Sequence, residues 1–186
     1  MHNNDIKQGT LANKSGKTAE SILLPLFNAY NYYIAKYSNI TKQPDLLNID
    51  KIVFKDAPFT SIYNHNGKTE YLLINRLKNR KIRIEVKNQQ QSGSVDEKLP
   101  NLFLNTIFSY PEDEIILILD GNGWKKGAIE WIKNAVNEYS NKFDVYAKSL
   151  QELSFMFSNK NLSITKKKIQ VMNFSEFLAY FSTELI

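Results

Sequence analysis

The stretch RKIRIEVKNQ, residues 80–89, carries the side chains best placed to do chemistry. Ile82, Ile84 and Val86 alternate with Arg83, Glu85, Lys87 and Gln89, and the two-residue period of a strand sends the two sets to opposite faces. The preceding TEYLLIN, 69–75, reads as a second strand, and LKNR between them makes the pair a hairpin. With Arg76 opposite Lys81, the register sets Leu73 against Ile84 and Tyr71 against Val86, and on the other face Glu70 against Lys87. Opposed residues lie about 4.5–5.5 Å apart and diagonal ones about 7–8 Å, so Glu70, Glu85 and Lys87 form a compact triangle. Two carboxylates at that spacing suit one hard cation such as Mg²⁺, which takes oxygen ligands and keeps several waters. Such an ion with a lysine beside it is the equipment for hydrolysing a phosphodiester: the metal acidifies a water and screens the phosphate, and the ammonium steadies the attacking or developing charge. An idle, solvated strand face would carry the same residue types.

Composition narrows the chemistry further. The chain has 186 residues and is 42% hydrophobic, enough for one domain with its own core. It contains no Cys, which excludes disulfide frameworks, thiolate zinc sites and cysteine nucleophiles. His2 and His65 are the only histidines, so a Ser-His-Asp hydrolase or a multi-histidine metal site lacks its imidazoles. Catalysis must therefore rest on carboxylates, lysines and a metal. A net charge of +5 and a pI near 9.2 favour a polyanionic partner such as nucleic acid. The polar opening MHNNDIKQGT and the lack of an apolar run near ~18 residues predict neither a signal peptide nor a membrane span, and a cytoplasmic location is expected. The GKT at 16–18 ends like a phosphate-binding loop, but Leu11 stands where the first glycine belongs and the upstream sequence is polar. No nucleotide cofactor is expected, and SGKTAE reads as the start of a helix.

The elements that must position the triangle follow from periodicity. Thr18 to Tyr37 spaces Ile22, Leu23, Leu26, Phe27, Tyr30 and Ile34 as a helix, with Pro25 bending it or delaying its start. KIVFKD and FTSIY are short strands separated by Pro58, and SVDEKLPNLFLNTIF, 94–108, is an amphipathic helix with Pro100 in its first turns. EIILILD, 114–120, is apolar throughout and predicts a strand buried on both faces. GNGW follows as a tight turn with Trp124 packing on the core, then a helix KKGAIEWIKNAVNEY, a strand DVYA at 144–147, a helix SLQELSFMF, and a last helix from Phe174 to Leu185. The order predicts an α/β single domain around one mixed sheet, with its core at about 15–147 and a C-terminal helical extension at 148–186.

At these residues the sequence resembles the PD-(D/E)XK nuclease superfamily, which includes many type II restriction endonucleases. Glu85-Val86-Lys87 matches the second half of the motif, and Glu70 in GKTEYLL stands for the first acid, with Asp56 as the reserve candidate. Gln89 and the loop SGSVDEKLP look like the stretch that follows the lysine in restriction-type members, and EIILILDGNGW looks like their next strand and glycine turn. The resemblance spans about Ser15 to Tyr146 and implies an αβββαβ core, with Glu20 of the first helix near the metal.

The resemblance further implies a Mg²⁺-dependent endodeoxyribonuclease of the restriction type, with Mn²⁺ as substitute, acting on double-stranded DNA and working as a homodimer matched to a palindromic site. Glu70 and Glu85 are then metal ligands, supported by Glu20; Lys87 positions the nucleophile and Gln89 assists. Lys98 and the run Lys166, Lys167, Lys168 are candidates for DNA phosphates. A structure-specific phage or repair nuclease and a DNA-binding protein without catalysis are the alternatives.

Overall fold

The computed structural model describes residues 19–91, 94–158 and 165–185. Among them, one six-stranded mixed sheet runs in the order β1 to β6, in chain sequence. Residues 19–29 form α1, followed by β1 (Tyr33–Lys36), β2 (Lys51–Thr60), β3 (Asn66–Asn75) and β4 (Arg80–Asn88). Then come α2 (Lys98–Phe108), β5 (Glu114–Asp120), α3 (Lys126–Ser158), β6 (Lys168–Met172) and α4 (Phe174–Glu184). β2, β3 and β4 are antiparallel neighbours, whereas β1 pairs parallel with β2, and β4, β5 and β6 run parallel to one another. The α/β class and the mixed sheet are as the sequence predicts.

Both faces of the sheet are covered. Tyr71, Leu73, Ile82, Ile84, Val86, Ile116 and Ile118 pack beneath α1 and α4 through Leu23, Phe27, Phe177 and Phe181. On the other face Ile115, Leu117 and Leu119 pack beneath α2 and α3 through Leu99, Leu102, Ile132, Val136, Tyr139 and Phe143. The strand β5 is buried on both sides, with Ile115 to Leu119 at most 5% exposed.

Four expectations about elements need correction. α1 gives way near Tyr30, where Asn31 adopts a left-handed φ of 62°, and Tyr33–Lys36 forms a strand instead of continuing the helix to Tyr37. KIVFKD and FTSIY fuse into the single strand β2, which ends at Thr60, and Pro58 lies within it. DVYA is not a strand: residues 126–158 form one helix, because Ile132, Val136, Tyr139 and Phe143 bury a continuous stripe that carries on through Ala147 and Leu150. The β-forming Val145 and Tyr146 face outward on that helix. The last strand is KIQVM, 168–172, within the segment expected to be a helical extension. It pairs with β5 from Glu114 to Ile118 and leads into α4, which Asn173 and Glu176 open with a reciprocal capping box.

The hairpin register is also displaced. Asn75 pairs with Arg80, Leu73 with Ile82 and Tyr71 with Ile84, two residues from the expected alignment. The turn is Arg76 to Asn79, closed by Asn79 at φ 51° and by the Asn75 side chain accepting from the Lys78 amide at 3.2 Å. A shift of two keeps every side chain on its face, but it brings Glu70 level with Glu85 rather than Lys87.

Candidate active site

Glu70, Glu85 and Lys87 meet on the α2/α3 face near the carboxyl end of β4. The Glu70 carboxylate accepts the Val86 backbone N–H at 2.8 Å through Oε2, while its Oε1 lies 3.6 Å from the Lys87 ammonium. Lys87 also contacts Glu85 Oε1 directly. The charged face is solvated only in part: Arg83 is 1% exposed and Glu85 5%, unlike an idle strand surface. The Glu85 side chain is enclosed, whereas those of Glu70 and Lys87 are 37% and 44% exposed. One carboxylate is thus sealed in the protein, and its two neighbours open to solvent.

Electrostatics set Glu85 apart. Burial is the largest influence and raises its pKa; the Lys87 charge lowers it, the adjacent Glu70 charge raises it, and the net result is about 8. Lys87 moves the other way: burial lowers its pKa, but the two carboxylates outweigh that and hold it firmly protonated. Glu85 Oε2 is buried and has no hydrogen-bond partner. A buried carboxylate oxygen without a partner is costly, and a divalent cation held between Glu70 and Glu85 would satisfy it. The donor set fits a hard ion that takes carboxylate oxygens and completes its shell with water and substrate oxygen. Among the described residues, no three of His, Cys, Asp and Glu gather closely enough to hold a metal by themselves.

A family model described as the PD-(D/E)XK nuclease superfamily domain matches residues 11–185. The chain belongs to the PD-(D/E)XK nuclease superfamily. Its members are generally nucleases and typically use divalent metal ions, and the observed sheet and helices are consistent with the superfamily fold. No curated protein and no solved structure matches the chain. Among the described residues, no helix is long and apolar enough to cross a membrane.

Three supports hold β4 in place. Arg83, on the same face as Glu85, contacts Glu112 and also donates to Thr69 Oγ1 at 2.8 Å, the Ala57 carbonyl at 3.1 Å and the Pro58 carbonyl at 3.2 Å. This buried cation ties β4 to β2, β3 and the segment before β5. The Tyr110 ring lies 5.4 Å from the Arg83 guanidinium; burial, then the charges of Glu85 and Glu70, raise its pKa and keep its hydroxyl protonated. Finally, the GNGW turn grips the end of β4. Gln89 N–H donates to the Asp120 carbonyl and Gly123 N–H to the Gln89 carbonyl, both at 2.8 Å. A Cβ on Gly121 would lie 2.1 Å from the Gln89 oxygen, and one on Gly123 2.4 Å from the Gln91 oxygen. The glycines are there because backbone meets backbone. Trp124 packs at the edge of the core, its indole N–H bonded to the Asp120 carbonyl at 3.0 Å.

The other expected site residues are more dispersed. Gln89 turns its amide to the Gln91 carbonyl, away from the acidic pair. Glu20 forms an ion pair with Lys55 at 2.6 Å. Lys55 pairs with Tyr71, whose ring packs against Phe27 of α1, so Glu20 is engaged on the α1 side and not with Glu70 and Glu85. Asp56 sits in β2 between Lys55 and Ala57, whose partners Tyr71 and Thr69 flank Glu70. It is exposed at φ 57°, and it is Glu70 that contacts Lys87 and the Val86 amide. Of the phosphate candidates, Lys98 and Lys166 are exposed, and Lys168 is paired with Glu114 at 3.3 Å. Lys167 is withdrawn from any DNA surface: it is 7% exposed and donates to the carbonyls of Tyr110 and Glu112 at 2.6 and 2.8 Å. SGKT at 15–18 lies outside the described residues. Sequence reasoning missed Asp96, which follows β4 in SVDEKLP and pairs with Lys125 at 3.5 Å, where it had singled out Lys98. It also missed Glu112, whose partner Arg83 is remote in sequence and leaves no local signal.

Proposed function

We propose that this nuclease domain is a Mg²⁺-dependent endodeoxyribonuclease of the restriction type, cutting double-stranded DNA, with Mn²⁺ as a substitute ion and a homodimer as the working form. The observation that carries the reading is the buried Glu85 oxygen without a partner, set between Glu70 and Lys87 on the motif strand. Glu70 and Glu85 would hold the ion. When bound, the metal supplies a water of lowered pKa and neutralises phosphate charge. Glu85 is fixed by burial and Glu70 by its bond to the Val86 amide, so the two ligands are preorganised. Lys87 remains protonated and mobile enough to release Glu70 and donate to a nucleophilic water or to a non-bridging phosphate oxygen. Lys98 and Lys166, both exposed, supply cations for the DNA backbone. A twofold dimer would place two such sites on the two strands of a palindrome.

The test is digestion of long duplex DNA by the whole chain with Mg²⁺, with EDTA as control and Lys87→Ala alongside. Discrete fragments that need both the metal and Lys87 establish the restriction reading and give the recognition sequence from the fragment ends. Cutting confined to branched or single-stranded DNA replaces it with a structure-specific nuclease, and binding without cutting by the folded parent leaves a DNA-binding protein.

A further inference from the structure

The cleft at the carboxyl ends of β5 and β6 takes no part in the chemistry above. The chain leaves β5 for α3 on one face of the sheet, and leaves β6 for α4 on the other. Adjacent parallel strands whose following helices part in this way leave a crevice between them, the usual place for a ligand in an open α/β sheet. Here the crevice measures about 570 Å³, within the range of small-molecule sites. Its lining combines the apolar Leu119, Ile129 and Val171 with Gln90, Asn122, Trp124 and Lys133, and the two carboxylates that also line it, Asp120 and Glu176, accept the Phe174 and Asn173 backbone N–H groups.

These groups match a flat ring with a polar edge attached to an anion. The apolar part of the lining and the indole, tethered by its bond to the Asp120 carbonyl, suit a π-face. Gln90, which lines the cleft and gives an amide N–H to Asn88, keeps a carboxamide oxygen to accept with, while the exposed Asn122 carboxamide offers a donor and an acceptor together. Lys133 is exposed and only loosely paired with Glu176, at 3.7 Å, and can take a phosphate. Location adds the substrate. Lys87 is level with Leu119 of β5, so the crevice lies one to two strand spacings from the acidic pair, about 5–10 Å at roughly 4.8 Å per strand. That is about one to three nucleotides of a DNA strand at roughly 3.4 Å each.

We propose that this cleft receives one nucleobase of the DNA strand being cut, taken out of the stack within a few nucleotides of the scissile phosphate, with Gln90 and Asn122 reading its edge and Lys133 holding an adjoining phosphate. The inference rests on the nuclease reading of Glu70, Glu85 and Lys87. Extruding a base to reach a pocket is physically accessible to a protein that already grips the backbone on either side.

The experiment uses the full chain carrying Lys87→Ala, which holds DNA uncut, and duplexes with 2-aminopurine placed in turn at each position flanking the mapped cut. Fluorescence of that base rises when it is unstacked. A severalfold rise at one position, diminished by Asn122→Ala and by Lys133→Ala, is expected. In the otherwise intact enzyme the same two substitutions should lower kcat/KM by about 10-fold or more, with far-UV circular dichroism unchanged. Both side chains are exposed, so neither variant should disturb folding. If the parent cuts DNA but fluorescence is flat at every position, or both variants cut as the parent does, the base pocket is overturned and the nuclease assignment stands. If the parent neither binds nor cuts any DNA, the nuclease reading falls, and the base pocket with it.

Discussion

Replacing Glu85 by Gln should make the metal-free protein more stable while removing its response to the metal. In the absence of a cation, Glu85 is 5% exposed, adjacent to a second carboxylate, and leaves one oxygen buried without a partner. Glu85→Gln is nearly isosteric, has no charge to bury or neutralise, and puts an amide N–H beside the Glu70 carboxylate, while Lys87, being 44% exposed and still beside Glu70, loses little. Relief of a buried, unsatisfied polar group amounts to about 1–3 kcal/mol. In a domain of this size each kcal/mol moves Tm by about 2–4 °C, so the metal-free variant should melt roughly 2–12 °C above the parent. Addition of Mg²⁺ reverses the ranking. A ligand at about ten times its Kd stabilises the native state by about 1.4 kcal/mol, and the parent should gain roughly 3–6 °C that the variant does not. The assay is thermal melting by circular dichroism after chelation, with and without Mg²⁺, paired with DNA cleavage, in which the variant should lose at least ~100-fold. Destabilisation of the metal-free variant, or a Mg²⁺ shift equal to the parent's, would refute the reasoning and make Glu85 an ordinary buried strand residue.

Arg83→Met should cost about 3 kcal/mol in urea denaturation, since it leaves Glu112, itself 4% exposed, with the exposed Lys81 at 3.1 Å as its remaining cation and strips the donor from Thr69 and the Ala57 and Pro58 carbonyls; Arg83→Met combined with Glu112→Leu should recover most of that loss, and an unchanged midpoint in the single variant would contradict it. Gly121→Ala should lower cleavage more than stability, because its Cβ would drive into the Gln89 carbonyl at 2.1 Å and its φ of 100° disfavours a side chain; a kcat equal to the parent's would show that the turn does not position β4. Acid sensitivity should trace in part to Glu112: burial raises its pKa, but the bond and charge of Arg83 and the charge of Lys81 outweigh it and lower the result. A carboxyl depressed in the folded state adds stability above its unfolded pKa of about 4.3 and loses it as pH falls through the folded value, so a plot of Tm against pH should be shallower below pH ~4 in Glu112→Gln than in the parent.

The sequence by itself determined the strands that carry the candidate site and pointed to a nuclease. RKIRIEVKN alternates without a break and EIILILD is apolar throughout, so β4 and β5 were legible to the residue, as was the pairing of an acidic residue with a lysine two positions on. Local pattern sufficed because strand period and burial on two faces are written in neighbouring residues. The third dimension decided everything that depends on partners far along the chain. The register came from the left-handed Asn79 in the turn, not from the apolar pattern, which a two-residue shift leaves intact. The β-forming DVYA was overruled by a helix whose buried stripe passes through it, and KIQVM was hidden beside three lysines until β5 paired with it. Above all, alternation alone could not say whether the charged face of β4 was wet. It is dry at Arg83 and Glu85 and open at Lys87, with Glu112 closing over Arg83, and burial of that kind is what leaves a glutamate oxygen without a partner.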